Sequence, residues 1–175
     1  MRVISGSLGG REFEAPSSKR THPMSERARG GLFNTLGDIQ GLTILDAFAG
    51  SGALSFEAIS RGAKSVIALD NDHGAQLAVT RNISTLELSN YVRLVKSSAS
   101  AWLKSSSDLF DVVLLDPPYD NLQPDLLIQL AGKAKADGVV VISLPKSVNI
   151  ELPSSLQSLK TKSYGDAVLH YFRRI

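Results

Sequence analysis

From residue 42 onward, short apolar runs alternate with segments in which apolar residues recur every three or four positions. Continuous Val, Ile and Leu runs predict strands buried on both faces, and the longer spacing predicts helices packed against them. Strands are predicted at Leu42–Phe48, Ser65–Leu69, Tyr91–Val95, Phe110–Leu115 and Gly138–Leu144, and helices at Ala53–Arg61, Ala75–Leu86, Ala99–Lys104 and Leu122–Ala134. This alternation indicates an α/β protein with a mostly parallel sheet and helices on both faces.

The end of the chain has a different pattern. Two polar–apolar runs, Leu159–Tyr164 and Val168–Arg173, are separated by Gly165-Asp166. Such spacing predicts an antiparallel hairpin that closes one edge of the sheet and brings it to seven strands.

The first residues form a separate segment rich in Gly, Ser, Pro and basic residues. Alternation in residues 2–6 and 11–15, with glycines between them, predicts a short β-hairpin. A helix capped by Ser25 should follow and end at Gly37, although Gly30-Gly31 lowers its helix propensity. We therefore divide the chain into an N-terminal extension, residues 1–24, and an α/β domain, residues 25–175.

Composition excludes several classes of protein. The 175 residues suit one domain with a small appendage, and 43% hydrophobic residues support a proper core. No apolar run approaches the roughly 20 residues of a membrane span, and the polar N-terminus does not resemble a signal peptide. The absence of cysteine excludes disulfides and thiolate metal sites, and the three histidines are too scattered to predict a metal site. We expect a cytoplasmic monomer without a metal.

The charge is small but unevenly placed. The net charge is +2, yet residues 1–33 hold six basic and three acidic residues, 6 − 3 = +3, so the remainder sums to −1. A basic extension on a near-neutral body suits contact with a polyanion, and a solvated surface segment explains the charge equally well.

The first strand of the α/β part ends in an acid followed by a glycine turn, Asp46-Ala47-Phe48-Ala49-Gly50-Ser51-Gly52. The glycines permit a tight turn and a close backbone approach to a ligand at a helix N-terminus. Ser55 stands where the dinucleotide pattern has its third glycine, which disfavours a pyrophosphate. A carboxylate beside the turn suits a cationic ligand, such as the amino-acid half of S-adenosylmethionine with its ammonium and sulfonium charges.

Polar residues also follow the next two strands. Asp70 lies 18 residues after Gly52, close to the ~20-residue spacing at which a carboxylate reaches ribose hydroxyls. Capping of the next helix is the alternative for Asp70, Asn71 and Asp72. Ser98-Ala99 could border an adenine, and helix capping explains Ser98 equally well.

The strand Phe110–Leu115 runs directly into Asp116-Pro117-Pro118-Tyr119. The two prolines cannot donate backbone hydrogen bonds, so the strand must end in a stiff corner at the sheet edge where α/β proteins bind ligands. A carboxylate and a backbone carbonyl there can accept both N–H groups of an exocyclic amine, and the Tyr119 ring can stack on the base. The corner therefore indicates chemistry on the amino group of a nucleobase, and a capped Pro-rich turn is the plainer alternative.

The chain resembles the class I S-adenosylmethionine-dependent methyltransferases, which have a Rossmann-like fold. More narrowly, it resembles, nearly end to end, the bacterial family that methylates guanine N2 in 16S rRNA of the small ribosomal subunit. The matching stretches are Arg2–Gly6 with Gly10-Arg11, His22–Arg29 with Leu32-Phe33-Asn34, Leu45–Ala53 and Leu115–Tyr119. The sequence departs at His22-Pro23-Met24, where many members have Arg-Pro-Thr, and at Tyr119, where some have Phe.

The resemblance implies a methyl transfer from S-adenosylmethionine to guanine N2 in 16S rRNA, free or in an assembling subunit. It assigns the target base to Asp116, Pro117, Pro118 and Tyr119. It assigns the cofactor to Asp46, Phe48, Gly50, Gly52, Asp70, Asn71, Ser98 and Ala99, and the RNA to Arg2, Arg11, Arg27 and Arg29. An adenine-N6 methyltransferase and a catalytically idle RNA-binding assembly factor remain alternatives.

Overall fold

The computed structural model describes residues 1–16 and 23–175. Within these two ranges, five α-helices and seven strands follow one another. The helices are α1 (Glu26–Leu36), α2 (Ala53–Ser60), α3 (His73–Thr85), α4 (Ala99–Ser105) and α5 (Pro124–Ala131). The strands are β1 (Thr43–Asp46), β2 (Ser65–Asp70), β3 (Val92–Lys96), β4 (Phe110–Leu115), β5 (Ala134–Pro145), β6 (Leu156–Tyr164) and β7 (Ala167–Arg174). Across the described ranges, no helix combines the length and hydropathy that crossing a bilayer requires.

All seven strands form one sheet in the order β3-β2-β1-β4-β5-β7-β6. Strands β1 to β5 are parallel, and β7 lies antiparallel between β5 and β6. The predicted α/β fold with a C-terminal antiparallel hairpin is therefore confirmed. The chain order reverses between β1 and β4, and open α/β sheets bind ligands at the carboxyl ends of strands beside such a reversal.

Both faces of the sheet are covered, as the apolar strands predict. One core includes Leu32, Phe33 and Phe56 from α1 and α2, and the other includes Trp102 and Leu127 from α4 and α5. Every residue of α2 is buried, including the polar residues Ser55, Glu57 and Ser60, so this helix has no exposed face.

Helix α5 and strand β5 differ most from their predicted bounds. Helix α5 spans Pro124–Ala131 instead of Leu122–Ala134, because a 3₁₀ turn at Tyr119–Asn121 precedes it and proline favours the first helical position. Strand β5 begins at Ala134 rather than Gly138, because Ala134 pairs with Phe110 before a register shift. The apolar spacing of residues 122–134 predicts one continuous helix, so it could not show that strand pairing begins at Ala134.

The N-terminal extension is less regular than the predicted hairpin. It contains one antiparallel bridge, Arg2 with Glu12, and it buries Val3 and Phe13. Lys19, Arg20 and His22 lie outside the described residues. The division at residue 24 stays a prediction.

The extension is attached to α2 by hydrogen bonds. The Ile4 and Ser5 amides donate to the buried Glu57 carboxylate at 2.8 and 3.2 Å. The Leu8 amide donates to the Ser60 hydroxyl at 2.9 Å. The helix that begins at the glycine turn therefore also fixes the start of the chain.

Candidate active site

Asp46 ends β1 and is completely buried. Its Oδ2 accepts a hydrogen bond from the Ser55 hydroxyl at 2.7 Å, whereas Oδ1 has no partner among the described residues. The pKa of Asp46 is raised to about 7, mainly by burial and also by the charges of Asp116 and Asp70, while the Ser55 hydrogen bond lowers it. A buried acceptor without a partner is costly, so this atom suits a donor or cation from a ligand.

The turn after Asp46 requires its glycines. Gly50 and Gly52 have φ values of +53° and +80°, a region that L side chains rarely adopt. Gly52 precedes α2 directly, and a Cβ there would lie 2.6 Å from the Phe56 ring. The turn therefore presents backbone rather than side chains at the start of the helix.

Asp70 holds this turn from the end of β2. Its Oδ2 accepts a hydrogen bond from the Gly50 amide at 2.7 Å, and its Oδ1 accepts one from the Asp72 amide at 2.8 Å. Asp72, not Asp70, caps α3. Burial raises the pKa of Asp70, and these amide hydrogen bonds offset part of that rise. The helix-capping alternative for Asp70 is therefore wrong, and its contact with ribose remains a proposal.

The other predicted cofactor residues lie at the same edge of the sheet. Phe48 is half-buried in the turn after β1, and Asn71 is exposed directly after β2. Ser98 follows β3 and caps α4 by accepting from the Ala101 amide at 3.2 Å, and Ala99 is buried. The capping alternative for Ser98 is thus confirmed, and it still leaves Ser98 and Ala99 at the carboxyl end of β3.

The predicted corner follows β4 directly. Asp116 is partly buried, Pro117 is buried, and Pro118 is exposed before the 3₁₀ turn. Burial raises the pKa of Asp116 to about 6, and a hydrogen bond from Ser143 opposes the rise. The Tyr119 hydroxyl lies 2.6 Å from the Ser143 hydroxyl, and 40% of Tyr119 remains exposed. The corner thus combines a carboxylate with an accessible ring.

Strand register brings the two halves of the site together. Asp46 pairs with Leu114 in the neighbouring parallel strand, so Asp116 extends two residues beyond it. The two carboxylates are close enough that Asp116 raises the pKa of Asp46. Two acids with raised pKa values at one sheet edge are typical of a functional site. The described residues contain no cluster of three or more His, Cys, Asp or Glu suited to a metal ion.

Ser55 and Ser143 were missed as site residues by sequence reasoning. Ser143 is 2% exposed in β5, and Ser55 is fully buried in α2. The available signal for Ser143 was a hydroxyl within the apolar run Val139–Leu144. Buried polar groups need partners, so such a residue indicates a polar neighbour even when that neighbour cannot be identified.

The prediction that Arg29 contacts RNA is wrong. Arg29 is only 1% exposed, and its guanidinium donates to the Arg2 carbonyl at 2.6 Å and lies 3.7 Å from the buried Glu57 carboxylate. Arg29 precedes Leu32 and Phe33 by three and four residues, so it lies on the same apolar stripe of α1. Its role is to hold α1 and the N-terminal extension on α2.

The other three predicted arginines are exposed. Arg2 forms an ion pair with Glu26 at 3.0 Å, and Arg11 donates to the Thr85 carbonyl at 2.9 Å. Arg27 lies exposed in the first turn of α1. Their contact with RNA remains a proposal.

Comparisons with known proteins agree with this geometry. A family model described as "Conserved hypothetical protein 95" matches residues 1–173. "Putative rRNA methyltransferase YlbH" of Bacillus subtilis is 34% identical and covers 94% of each chain. "Ribosomal RNA small subunit methyltransferase D" of Haemophilus influenzae is 33% identical over 94% of this chain and 89% of its own. The solved structure of "Putative methyltransferase yhhF" of Escherichia coli has a TM-score of 0.89 and 27% identity, covering 99% of this chain and 97% of that one.

Proposed function

We propose that this chain, which belongs to the Conserved hypothetical protein 95 family, methylates guanine N2 in 16S rRNA with S-adenosylmethionine as the methyl donor. Two relatives to which it is similar are named as rRNA methyltransferases. The observation that carries the reaction type is the placement of Asp116 beside the Asp46–Gly52 turn at one sheet edge. The names of the similar relatives support rRNA as the substrate, and the family resemblance supports guanine N2.

The residues at the edge fit the proposed cofactor. The partnerless Oδ1 of Asp46 suits the cationic amino-acid half, and Asp70 lies at the end of the neighbouring strand, where it suits the ribose. The half-buried Phe48, the exposed Asn71 and the Ser98-Ala99 pair would complete the site. When bound, S-adenosylmethionine supplies an electrophilic methyl group carried on a sulfonium.

Asp116 and the Pro117 carbonyl would accept the two N–H groups of the guanine amine. That amine is a poor nucleophile because its lone pair is delocalised into the ring, so orientation and charge stabilisation carry the rate. Positive charge develops on the nitrogen during attack, and the Asp116 carboxylate stabilises it and can accept the proton that the amine loses. A pKa of about 6 leaves this carboxylate mostly ionised at neutral pH.

Tyr119 would position the base. Its ring is accessible, while its hydroxyl is held against β5 by Ser143, so the long axis of the ring is held in place before a base arrives. The amine of a stacked base cannot reach a buried carboxylate, so the target nucleotide must be unpaired or flipped out.

The test uses Asp116→Ala and Asp116→Asn with labelled S-adenosylmethionine, 16S rRNA and small subunits, followed by nucleoside identification. We expect N2-methylguanosine from the wild type, loss of methylation in both variants, and largely unchanged cofactor affinity. N6-methyladenosine would replace the guanine assignment with the adenine alternative. A wild type that binds RNA but not S-adenosylmethionine would favour the idle assembly factor, and normal methylation by Asp116→Ala would overturn the role of the corner.

A further inference from the structure

The C-terminal hairpin carries a concentration of positive charge that is separate from that of the N-terminal extension. Residues 156–175 contain four basic residues and one acid, 4 − 1 = +3, whereas residues 34–155 contain nine basic and thirteen acidic residues, 9 − 13 = −4. The positive charge of the chain is thus concentrated at its two ends, and its middle is acidic. A net charge near zero conceals this division.

Helix α1 lies against this hairpin. A Cβ on Gly31 would lie 2.0 Å from the Tyr164 hydroxyl, and one turn later Thr35 lies beside Tyr171. Tyr164 pairs with Ala167 at the carboxyl end of β5, whereas Tyr171 pairs with Val141 further down the strand. The helix therefore begins at the same sheet edge as the candidate active site and runs away from it.

This orientation places three exposed or half-exposed cations on one surface. Arg27 precedes Gly31 by one turn, so it lies on the hairpin side of α1 at the carboxyl edge. Lys160 and Lys162 lie opposite Tyr171 and Leu169 in the β6–β7 ladder, so they point to the sheet face that α1 covers. Within the described residues, none of the three cations forms an ion pair.

The surface flanks the catalytic corner. Leu115 pairs with Ile142, so Asp116 is level with Ser143, and Ser143 pairs with Leu169, opposite Lys162. Three strand spacings therefore separate Asp116 from Lys162, about 15 Å between backbones. The N-terminal extension contacts α1 through Arg2 and otherwise packs on α2 and α3, away from the hairpin.

We propose that Arg27, Lys160 and Lys162 bind the phosphate backbone of the RNA on the β6 side of the catalytic corner. This inference rests on the proposed function and adds a second phosphate contact, so that the RNA is held on both sides of the reacting base. Contacts of this kind fix the register of the nucleic acid without reading its sequence.

The test compares Lys160→Gln/Lys162→Gln with Lys64→Gln/Arg93→Gln, a control pair of exposed cations in the β2–β3 half of the sheet. Both variants lose two positive charges. Affinity for 16S rRNA is measured from 50 to 300 mM salt, together with kcat and KM for methylation. We expect the hairpin variant to lower the slope of log affinity against log salt by about 1.5, at roughly 0.7 to 0.9 per phosphate contact. Its KM for RNA should rise at least fivefold with kcat nearly unchanged.

Identical salt slopes and KM values for the two variants would overturn the second contact surface. A fall in S-adenosylmethionine affinity in the hairpin variant would also contradict it, because the change would then act through the fold. Failure of the wild type to methylate rRNA would instead refute the proposed function, so the two failures are distinguishable. Adding Arg27→Gln should raise the KM for RNA further.

Discussion

The hydroxyl groups of Tyr119 and Ser143 lie 2.6 Å apart and join the turn after β4 to the interior of β5. The same serine hydroxyl lowers the pKa of Asp116 against the effect of burial. One hydroxyl thus orients the predicted stacking ring and adjusts the charge of the predicted catalytic carboxylate.

Ser143→Ala should shift the pH dependence of methylation. Without the serine hydrogen bond, burial alone acts on Asp116, so its pKa should rise above about 6 and the acidic limb of the rate profile should move to higher pH. Rate profiles from pH 5 to 9 measure the shift. Tyr119→Phe is the matched control, because it breaks the same Tyr–Ser hydrogen bond and keeps the serine. Superimposable acidic limbs for wild type and Ser143→Ala would contradict the role of Ser143.

Asp46→Asn should stabilise the ligand-free protein at alkaline pH while weakening cofactor binding. Because the folded-state pKa of Asp46 is raised from 3.8 to about 7, the folded state binds more protons than the unfolded state between those values. The free energy of unfolding should therefore fall as pH rises from about 4 through about 7, by up to roughly 4 kcal/mol. Urea titrations at pH 5 and 8 should show roughly 2.6 kcal/mol of this loss in the wild type, and the fall in the variant should be smaller by that amount.

Asp111→Asn is a control for Asp46→Asn, because the pKa of Asp111 is shifted in the opposite direction and its effect on stability against pH has the opposite sign. Partial burial raises the pKa of Asp111, but hydrogen bonds from Lys135 and Thr43 outweigh it and lower the value to about 2. The stability from Asp111 is thus present above about pH 4 and is lost as pH falls through about 2, so Asp111→Asn should destabilise the protein at pH 7. A wild type whose stability does not fall between pH 5 and 8 would contradict the burial argument for Asp46.

The corner at Asp116–Tyr119 could be predicted from the sequence because its signals are local. An apolar run that meets Asp116 and two prolines must end there, and β4 begins and ends as predicted. Ser143 could not be assigned, because its role depends on which strand lies beside β4. Arg29 was misassigned for the same reason: its partner Glu57 lies in another helix, and an arginine without a visible partner is ordinarily exposed. The local pattern of apolar residues determines where helices and strands form. Which polar residues are buried depends on contacts between parts of the chain that are distant in sequence.

Gly30→Ala and Gly31→Ala should have opposite effects on stability. A Cβ at position 30 would meet only the Ile4 side chain at 3.8 Å, so alanine should stabilise α1 by about 0.5–1 kcal/mol. A Cβ at position 31 would lie 2.0 Å from the Tyr164 hydroxyl, so the hairpin must move and stability should fall. Thermal denaturation of both variants tests this, and Gly31→Ala/Tyr164→Ala should recover part of the loss. Equal shifts for the two single variants would contradict the α1–hairpin contact.

Glu57→Gln should be strongly destabilising. The buried carboxylate neutralises Arg29 and Arg61 and accepts the Ile4 and Ser5 amides, so its loss leaves the buried Arg29 and the partly buried Arg61 without a counter-charge. Breaking a buried pair costs about 3–5 kcal/mol.

Glu26→Gln is the control, because the Arg2–Glu26 pair is exposed and should contribute less than about 1 kcal/mol. Denaturant unfolding gives both values, and hydrogen exchange at Ile4 and Ser5 should accelerate only in Glu57→Gln. A similar cost for the two variants would contradict the anchoring role of Glu57.

The contact between Gly31 and Tyr164 also bears on the order of folding. Helix α1 is synthesised well before β6 and β7, the strands against which its Gly31 side packs. Until these strands are made, the Gly31 side of the helix lacks this packing partner, and contacts of such high sequence separation form slowly. We expect amide protection in α1 to arise together with that in β6 during refolding, and protection of α1 in advance of β6 would refute this. The first helix is thus expected to complete its folding only with the last strands.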